Sequence, residues 1–169
     1  EFITMDDLLE EVPKDAARYF FIMRNTSSHL DFDLDLARAQ SMDNPVWYIQ
    51  YAHARCCSIF RQAEAAGISS DAWDTADLAL LEEPGELDLV RKMAAFPDEV
   101  LSAAIERAPS RIAKYGLDLA SLFHSFYNEC RVMGDDPALT AARLALVDAA
   151  KTVIANALNI MGIAAPERM

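Results

Sequence analysis

The sequence has 169 residues, with 27 Asp or Glu against 15 Lys or Arg and a formal net charge of −12. At 53% hydrophobic and 25% charged it can bury a core, which excludes wholesale disorder, and five glycines are too few for a turn-rich β-sandwich or barrel. As a bulk value the acidity also argues against a nucleic-acid partner, because a phosphate backbone attracts Lys and Arg. The acid is local, however. Residues 1–35 hold nine acids and three bases, residues 67–100 hold nine acids and two bases, and the remainder holds nine acids and ten bases. A surface built from the remainder is electrostatically free to meet an anion.

In chain order, residues 12–24 read as a first helix, with Ala16, Phe20 and Met23 on one side. Residues 25–33 (NTSSHLDFD) are polar and read as a connection. Asp31, Asp33 and Asp35 alternate around Phe32 and Leu34, but the glycine and distal glutamate of a calcium loop are missing. Asp33 is therefore expected to cap a short helix over 34–40. A seam between two regions is expected near 41–44. Asn44-Pro45, a capping residue followed by a proline suited to the first helical position, opens a long helix to about Ala66, closed by Gly67. Residues 67–86 read as an acidic connection with a short helix around Leu78. Pro13, Pro84, Pro97 and Pro109 mark weaker helix starts. Ile112, Tyr115, Leu119, Leu122, Phe123, Phe126 and Cys130 follow steps of three and four and form one apolar helical face. Asp136-Pro137 opens a last long helix to about Met161, closed by Gly162, with Leu144, Val147, Ile154 and Leu158 inward and Lys151 near an edge. β-branched alternation and Asn-Gly or Asp-Gly turns are absent. The fold expected is all-α, with six or seven helices.

Chemistry-bearing patterns are sparse. Cys56, Cys57 and Cys130 are odd in number and two are adjacent, so a reducing cytoplasmic setting is expected rather than a disulfide framework. The longest uncharged run, residues 152–166, is too short and too polar to span a bilayer, so no membrane partner is expected. His53 and Cys57 share a helical face but make only half of a zinc site. No GxSxG or GxxxxGK[ST] occurs, so the residues give no support for autonomous catalysis. The opening at Glu1 rather than Met points to a fragment or a processed product.

The informative cluster is residues 44–55, NPVWYIQYAHAR. Tyr48, Tyr51 and Arg55 step by three and four and line one face. Two rings and a guanidinium can stack on splayed bases and hold a phosphate. The same spacing also suits a tyrosine-rich helix packed on a neighbour, with its hydroxyls reaching water.

These residues carry a resemblance. The segment Asn44-Pro45 followed by Tyr48-Ile49-Gln50-Tyr51-Ala52-His53-Ala54-Arg55 resembles the NPxxYxQYAHAR stretch of bacterial arginyl-tRNA synthetases. Residues 14–21 (KDAARYFF) are similar to that family's GKDAxRFFF, with Pro13 where the family usually has Gly. Residues 30–37 (LDFDLDLA), residues 142–146 (ARLAL) and the final residues 162–169 (GIAAPERM) resemble further family segments.

The resemblance runs end to end and implies the C-terminal third of such an enzyme. Residues 1–40 would be a helical junction leaving the catalytic domain, and residues 41–169 an all-α DALR anticodon-binding domain. It implies a parent, a monomer, that ligates arginine to its tRNA through an arginyl-adenylate, using ATP with magnesium. The HIGH and KMSKS-like motifs of that chemistry are absent here, so this piece would carry no catalytic residue, cofactor or metal of its own. Its partners would be the anticodon loop of the arginine tRNA and the remaining domains of the same enzyme. Tyr48 and Tyr51 would stack on or hydrogen-bond to bases, and Arg55 would hold a phosphate or base edge. Met169 becomes a fourth candidate, because the family's terminal residue lies near the anticodon. Trp47, at a variable position, is expected to pack. Two alternatives stand beside this reading: an all-α protein-interaction domain, and a DALR domain of another synthetase such as the glycyl β-subunit. The two upstream segments weigh against the second.

Overall fold

The computed structural model describes residues 4–25 and 31–169, and every regular element among them is helical. The elements are α1 (Met5–Glu11), α2 (Lys14–Ile22), α3 (Leu34–Arg38), α4 (Pro45–Ala65), α5 (Asp71–Asp74), a 3-10 turn (Leu78–Leu80), α6 (Pro84–Ala94), α7 (Phe96–Glu106), α8 (Ser110–Glu129) and α9 (Pro137–Ile160). The all-α expectation holds. The count exceeds six or seven through short pieces such as α3 and α5, and through α1, which the sequence reading did not single out. Its start is a Thr4–Asp7 capping box.

The first expected helix, 12–24, is divided. Val12 closes α1, and Pro13 adopts an extended conformation (ψ 137°) before α2 begins at Lys14. Pro13 and Pro109 thus precede their helices instead of opening them. Asp33 caps α3 as expected, accepting from the Leu36 amide at 2.9 Å, but α3 ends at Arg38, two residues short of the expected end. Most of the polar connection at 25–33, Leu30 of the LDFDLDLA segment, and Glu1 to Ile3 lie outside the described residues.

The two strongest helix signals are realised in full. Asn44 is buried. Its side-chain oxygen accepts from the Val46 amide at 3.1 Å, while its amide group donates to the Ala37 and Ala39 carbonyls at 3.3 and 2.9 Å. One residue thereby starts α4 and ties down the end of α3. Asp136 caps α9 through the Ala138 and Leu139 amides. Gly67 (φ 79°) and Gly162 (φ 68°) take the left-handed conformation that ends α4 and α9, with Ile68 and Ile163 amides reaching back to Ala63 and Leu158.

The long helices α4, α8 and α9 pack on one another, and α6 lies across α8 and α9. The core they enclose includes Ile49, Cys56 and Ile59 from α4, Leu119, Phe123 and Phe126 from α8, and Leu144, Val147, Ile154 and Leu158 from α9. α2 joins the same core through Ala16, Tyr19 and Phe20, and the Tyr19 hydroxyl donates to the Ala113 carbonyl of α8 at 3.2 Å. Lys151 stands at the edge as expected, paired with Asp148 at 2.7 Å and lying over the Phe60 ring. All three cysteines are free thiols. Among the described residues no helix is long and apolar enough to cross a membrane.

Candidate nucleic-acid interface

The long helix α4 presents two working faces beside its core face. On the first, Tyr48, Tyr51 and Arg55 are half-buried and point towards α8. The Arg55 guanidinium donates to the Tyr51 hydroxyl one turn back and lies 5.0 Å from the Tyr51 ring centroid. From α8, the Tyr127 ring also approaches the guanidinium, at 4.6 Å. Partial burial disfavours the Arg55 charge, but the Tyr51 and Tyr127 hydroxyls outweigh it and raise its pKa above the ordinary value, so the group stays cationic. This pre-set plane can meet a base or a phosphate without first being ordered.

His124, also on α8, fills the space between the two tyrosines. Its ring meets Tyr48 edge-on at 4.7 Å and stacks against Tyr51 at 5.8 Å. Burial lowers its pKa, and the nearby Arg55 charge lowers it further against an opposing main-chain hydrogen bond at Tyr48. Its buried Nε2 has no hydrogen-bond partner in the protein.

Two clefts share Tyr51, Arg55 and Met169 in their linings. One, of about 440 Å³, is lined by Tyr51, Arg55, Tyr127 and Met169 together with Arg61 and Arg168. The other, of about 760 Å³, is lined by Tyr48, Tyr51, His124 and Met169 together with Trp47 and Met42. Neither lining includes an Asp or Glu, although the chain as a whole is strongly acidic. Both volumes fall in the range of roughly 300–1,000 Å³ found for small-ligand sites.

The second working face of α4 holds the last residues of the chain. Beyond Gly162 the backbone runs along α4. Gln50 Nε2 donates to the Ala164 carbonyl at 2.9 Å and to Asp15 Oδ2 at 2.9 Å. The Ala164 amide donates to the same Asp15 oxygen at 3.2 Å. His53 Nδ1 donates to the Pro166 carbonyl at 2.9 Å, and Arg61 donates to the Glu167 carbonyl at 3.2 Å. His53 is therefore engaged with the main chain, and Cys57 Sγ lies 3.9 Å from it. This path delivers Met169 to the edge of both clefts, with its side chain partly exposed.

The structure thus brings together all four residues singled out from the sequence, Tyr48, Tyr51, Arg55 and Met169. Trp47, expected to pack, is half-buried and also lines the larger cleft. Sequence reasoning missed His124, Tyr127, Arg61 and Arg168. His124 and Tyr127 are spaced at i and i+3 just off the apolar stripe of α8, which was the available signal.

Residues 49–169 match the DALR anticodon binding domain family. The chain is 55% identical over 168 residues to the arginine–tRNA ligase of Symbiobacterium thermophilum, covering 99% of this chain and 30% of that protein. It is 53% identical over 169 residues to the arginine–tRNA ligase of Moorella thermoacetica, covering 100% of this chain and again 30% of the relative. The chain therefore spans about 30% of the length of these curated relatives. Among solved structures, it superposes with a TM-score of 0.90 and 34% identity on one described as an arginyl-tRNA synthetase from Campylobacter jejuni, covering 100% of this chain and 36% of that one. The arginyl-tRNA synthetase of Thermus thermophilus gives a TM-score of 0.78 at 32% identity, over 92% of this chain and 26% of that one. The chain belongs to the DALR anticodon binding domain family.

Proposed function

We propose that this chain is the C-terminal, anticodon-reading part of an arginine–tRNA ligase, with residues 1–40 as the junction to the catalytic domain and residues 41–169 as the reading domain. The parent joins arginine to its tRNA in the cytoplasm at the expense of ATP with magnesium. That chemistry belongs to domains outside this chain, and among the described residues no cluster of three or more His, Cys, Asp or Glu is placed to hold a metal ion.

The observation that carries the reading is the convergence of Tyr48, Tyr51, His124, Tyr127, Arg55 and Met169 on two adjoining clefts whose linings include no Asp or Glu. Arginine anticodons share a C at the middle position. An opened loop can lay its bases against the accessible parts of these half-buried rings, while Arg55, Arg61 and Arg168 neutralise the adjacent phosphates. Stacking contributes roughly 1–3 kcal/mol per base whatever the base, so two such contacts bind an opened loop without a broadly basic surface, and the choice of base falls to hydrogen bonds at its edge.

The test is a calorimetric titration of the 169-residue chain with an anticodon stem-loop of an arginine tRNA. Tyr48→Ala and Tyr51→Ala are each expected to weaken binding by about tenfold or more. In the full-length enzyme the same substitutions should weaken tRNA use and spare arginine and ATP affinity. Wild-type binding by both variants would contradict the reading.

A further inference from the structure

We propose that Asp15 and Gln50, with His53, are positioning residues that seat the 163–169 tail and so place Met169 at the anticodon clefts. The proposal rests on the reading of those clefts given above. The tail has no regular structure after Gly162, and a chain end of that kind is ordinarily mobile unless it is tied down. Here its main-chain groups are taken up one after another. Ala164 uses both its amide and its carbonyl, Pro166 its carbonyl, and Glu167 its carbonyl. A carbonyl can only accept, so the Pro166 contact fixes the proton on His53 Nδ1 and with it the ring tautomer.

Asp15 is the hub of the arrangement. One of its oxygens accepts from both Gln50 of α4 and Ala164 of the tail. Three segments far apart in sequence meet at that atom: α2, α4 and the tail. α2 is itself fixed in the core by Tyr19 and Phe20. The seat of Met169 is therefore referenced to α2 and not only to α4. A displacement of α2 reaches the clefts through the Asp15 carboxylate, beside the packing of α2 on α4. None of Asp15, Gln50 and His53 lines either cleft. Their contribution to RNA binding passes through the tail, as pre-organisation that the RNA does not have to supply.

The experiment has two parts, both on the 169-residue chain. The first measures release of Met169 by a carboxypeptidase, with no RNA present. Gln50→Ala and Asp15→Ala are expected to speed release severalfold at an unchanged thermal midpoint, and release at the wild-type rate would overturn the seating role. The second is a double-mutant cycle of stem-loop affinity. Gln50→Ala is expected to weaken binding about tenfold in the intact chain and to cause no further loss in a chain lacking Met169. Equal losses in both backgrounds would overturn the proposal, because Gln50 would then act on the RNA by itself. Loss on Tyr51→Ala with none on Gln50→Ala would overturn the proposal while leaving the anticodon reading intact. No loss on either Tyr48→Ala or Tyr51→Ala would overturn the anticodon reading, whereas loss on those variants with none on deletion of Met169 would overturn the role of the tail alone.

Discussion

The Arg55 guanidinium donates a hydrogen bond to the Tyr51 hydroxyl one turn back along α4. The Tyr127 ring lies 4.6 Å from the same guanidinium, so a flat cation is in contact with two phenols. Charge alone does not reproduce this arrangement, because an ammonium is neither planar nor able to keep two rings in register. Arg55→Lys is therefore expected to weaken stem-loop binding by about tenfold even though the positive charge is retained. Calorimetric titration of the variant checks this, and wild-type affinity would show that Arg55 serves only as a point charge.

A second relationship concerns stability. Glu86 is fully buried. Its Oε1 accepts from Arg143 Nε at 2.6 Å and its Oε2 accepts from the Glu83 amide at 3.0 Å, so it joins α6 to α9 and caps its own helix. Arg143 also donates to the Arg131 carbonyl, holding the turn between α8 and α9. Removing one partner of a buried pair strands the other. Arg143→Ala is expected to cost about 3–5 kcal/mol in urea unfolding. Replacing both residues by Leu should recover part of that loss but not all, since the Glu83 amide and the Arg131 carbonyl lose their partners. A cost below about 1 kcal/mol for Arg143→Ala would show that water replaces the pair.

What the sequence disclosed follows from the range of the interactions involved. The helix-bounding contacts at Asn44, Gly67, Asp136 and Gly162 fall within five residues, so the ends of α4 and α9 were readable from local chemistry. Tyr48, Tyr51 and Arg55 share a face by helical spacing alone, and the use proposed for that face comes from the motif resemblance. The Thr4–Asp7 box of α1 was equally local but lay within an acidic stretch read only for its charge. Glu86 was unreadable because an isolated glutamate defaults to the surface, and its partner is 57 residues away. His124 and Tyr127 could not be assigned to the clefts without knowing how α8 is rotated against α4. The tail contacts join residues more than a hundred positions apart, beyond the reach of any spacing argument.

Backbone conformation gives a reciprocal pair of expectations. Gly162 ends α9 at φ 68°, where a Cβ would lie 2.9 Å from Arg18 Nη1, whereas Arg107 ends α7 at φ 51° despite carrying a side chain. A non-glycine residue in this region costs roughly 1–2 kcal/mol. Gly162→Ala is expected to lower stability by about that amount, and Arg107→Gly to raise it by about 0.5–1 kcal/mol after the entropy of the unfolded glycine is counted. Chemical denaturation of the two variants decides the matter, and shifts of the same sign would contradict it.

His124 gives the chain a dependence on mild acid. Burial, aided by the Arg55 charge, lowers its pKa below the ordinary value of 6.5, against the hydrogen bond at Tyr48. Between the folded value and 6.5 the unfolded chain binds more protons, so stability falls as pH drops below 6.5 and levels off, for this group, below the folded value. The melting temperature is expected to decline from about pH 7.5 to pH 5, and His124→Asn should flatten that decline. Parallel declines in variant and parent would assign the effect elsewhere. Asp118, whose pKa is held down by Lys92 and Lys114 against the effect of burial, contributes in a separate and more acidic window, losing its stabilisation as pH falls below the ordinary 3.8.

The clefts around Tyr51 are proposed to read an arginine anticodon. That reading is tested most directly by titrating the 169-residue chain with two stem-loops that differ only at the middle anticodon base. The C-containing loop is expected to bind at least about tenfold more tightly than the loop carrying another base there, and Tyr51→Ala should shrink that ratio. Equal affinity for the two loops, or binding to neither, would contradict it.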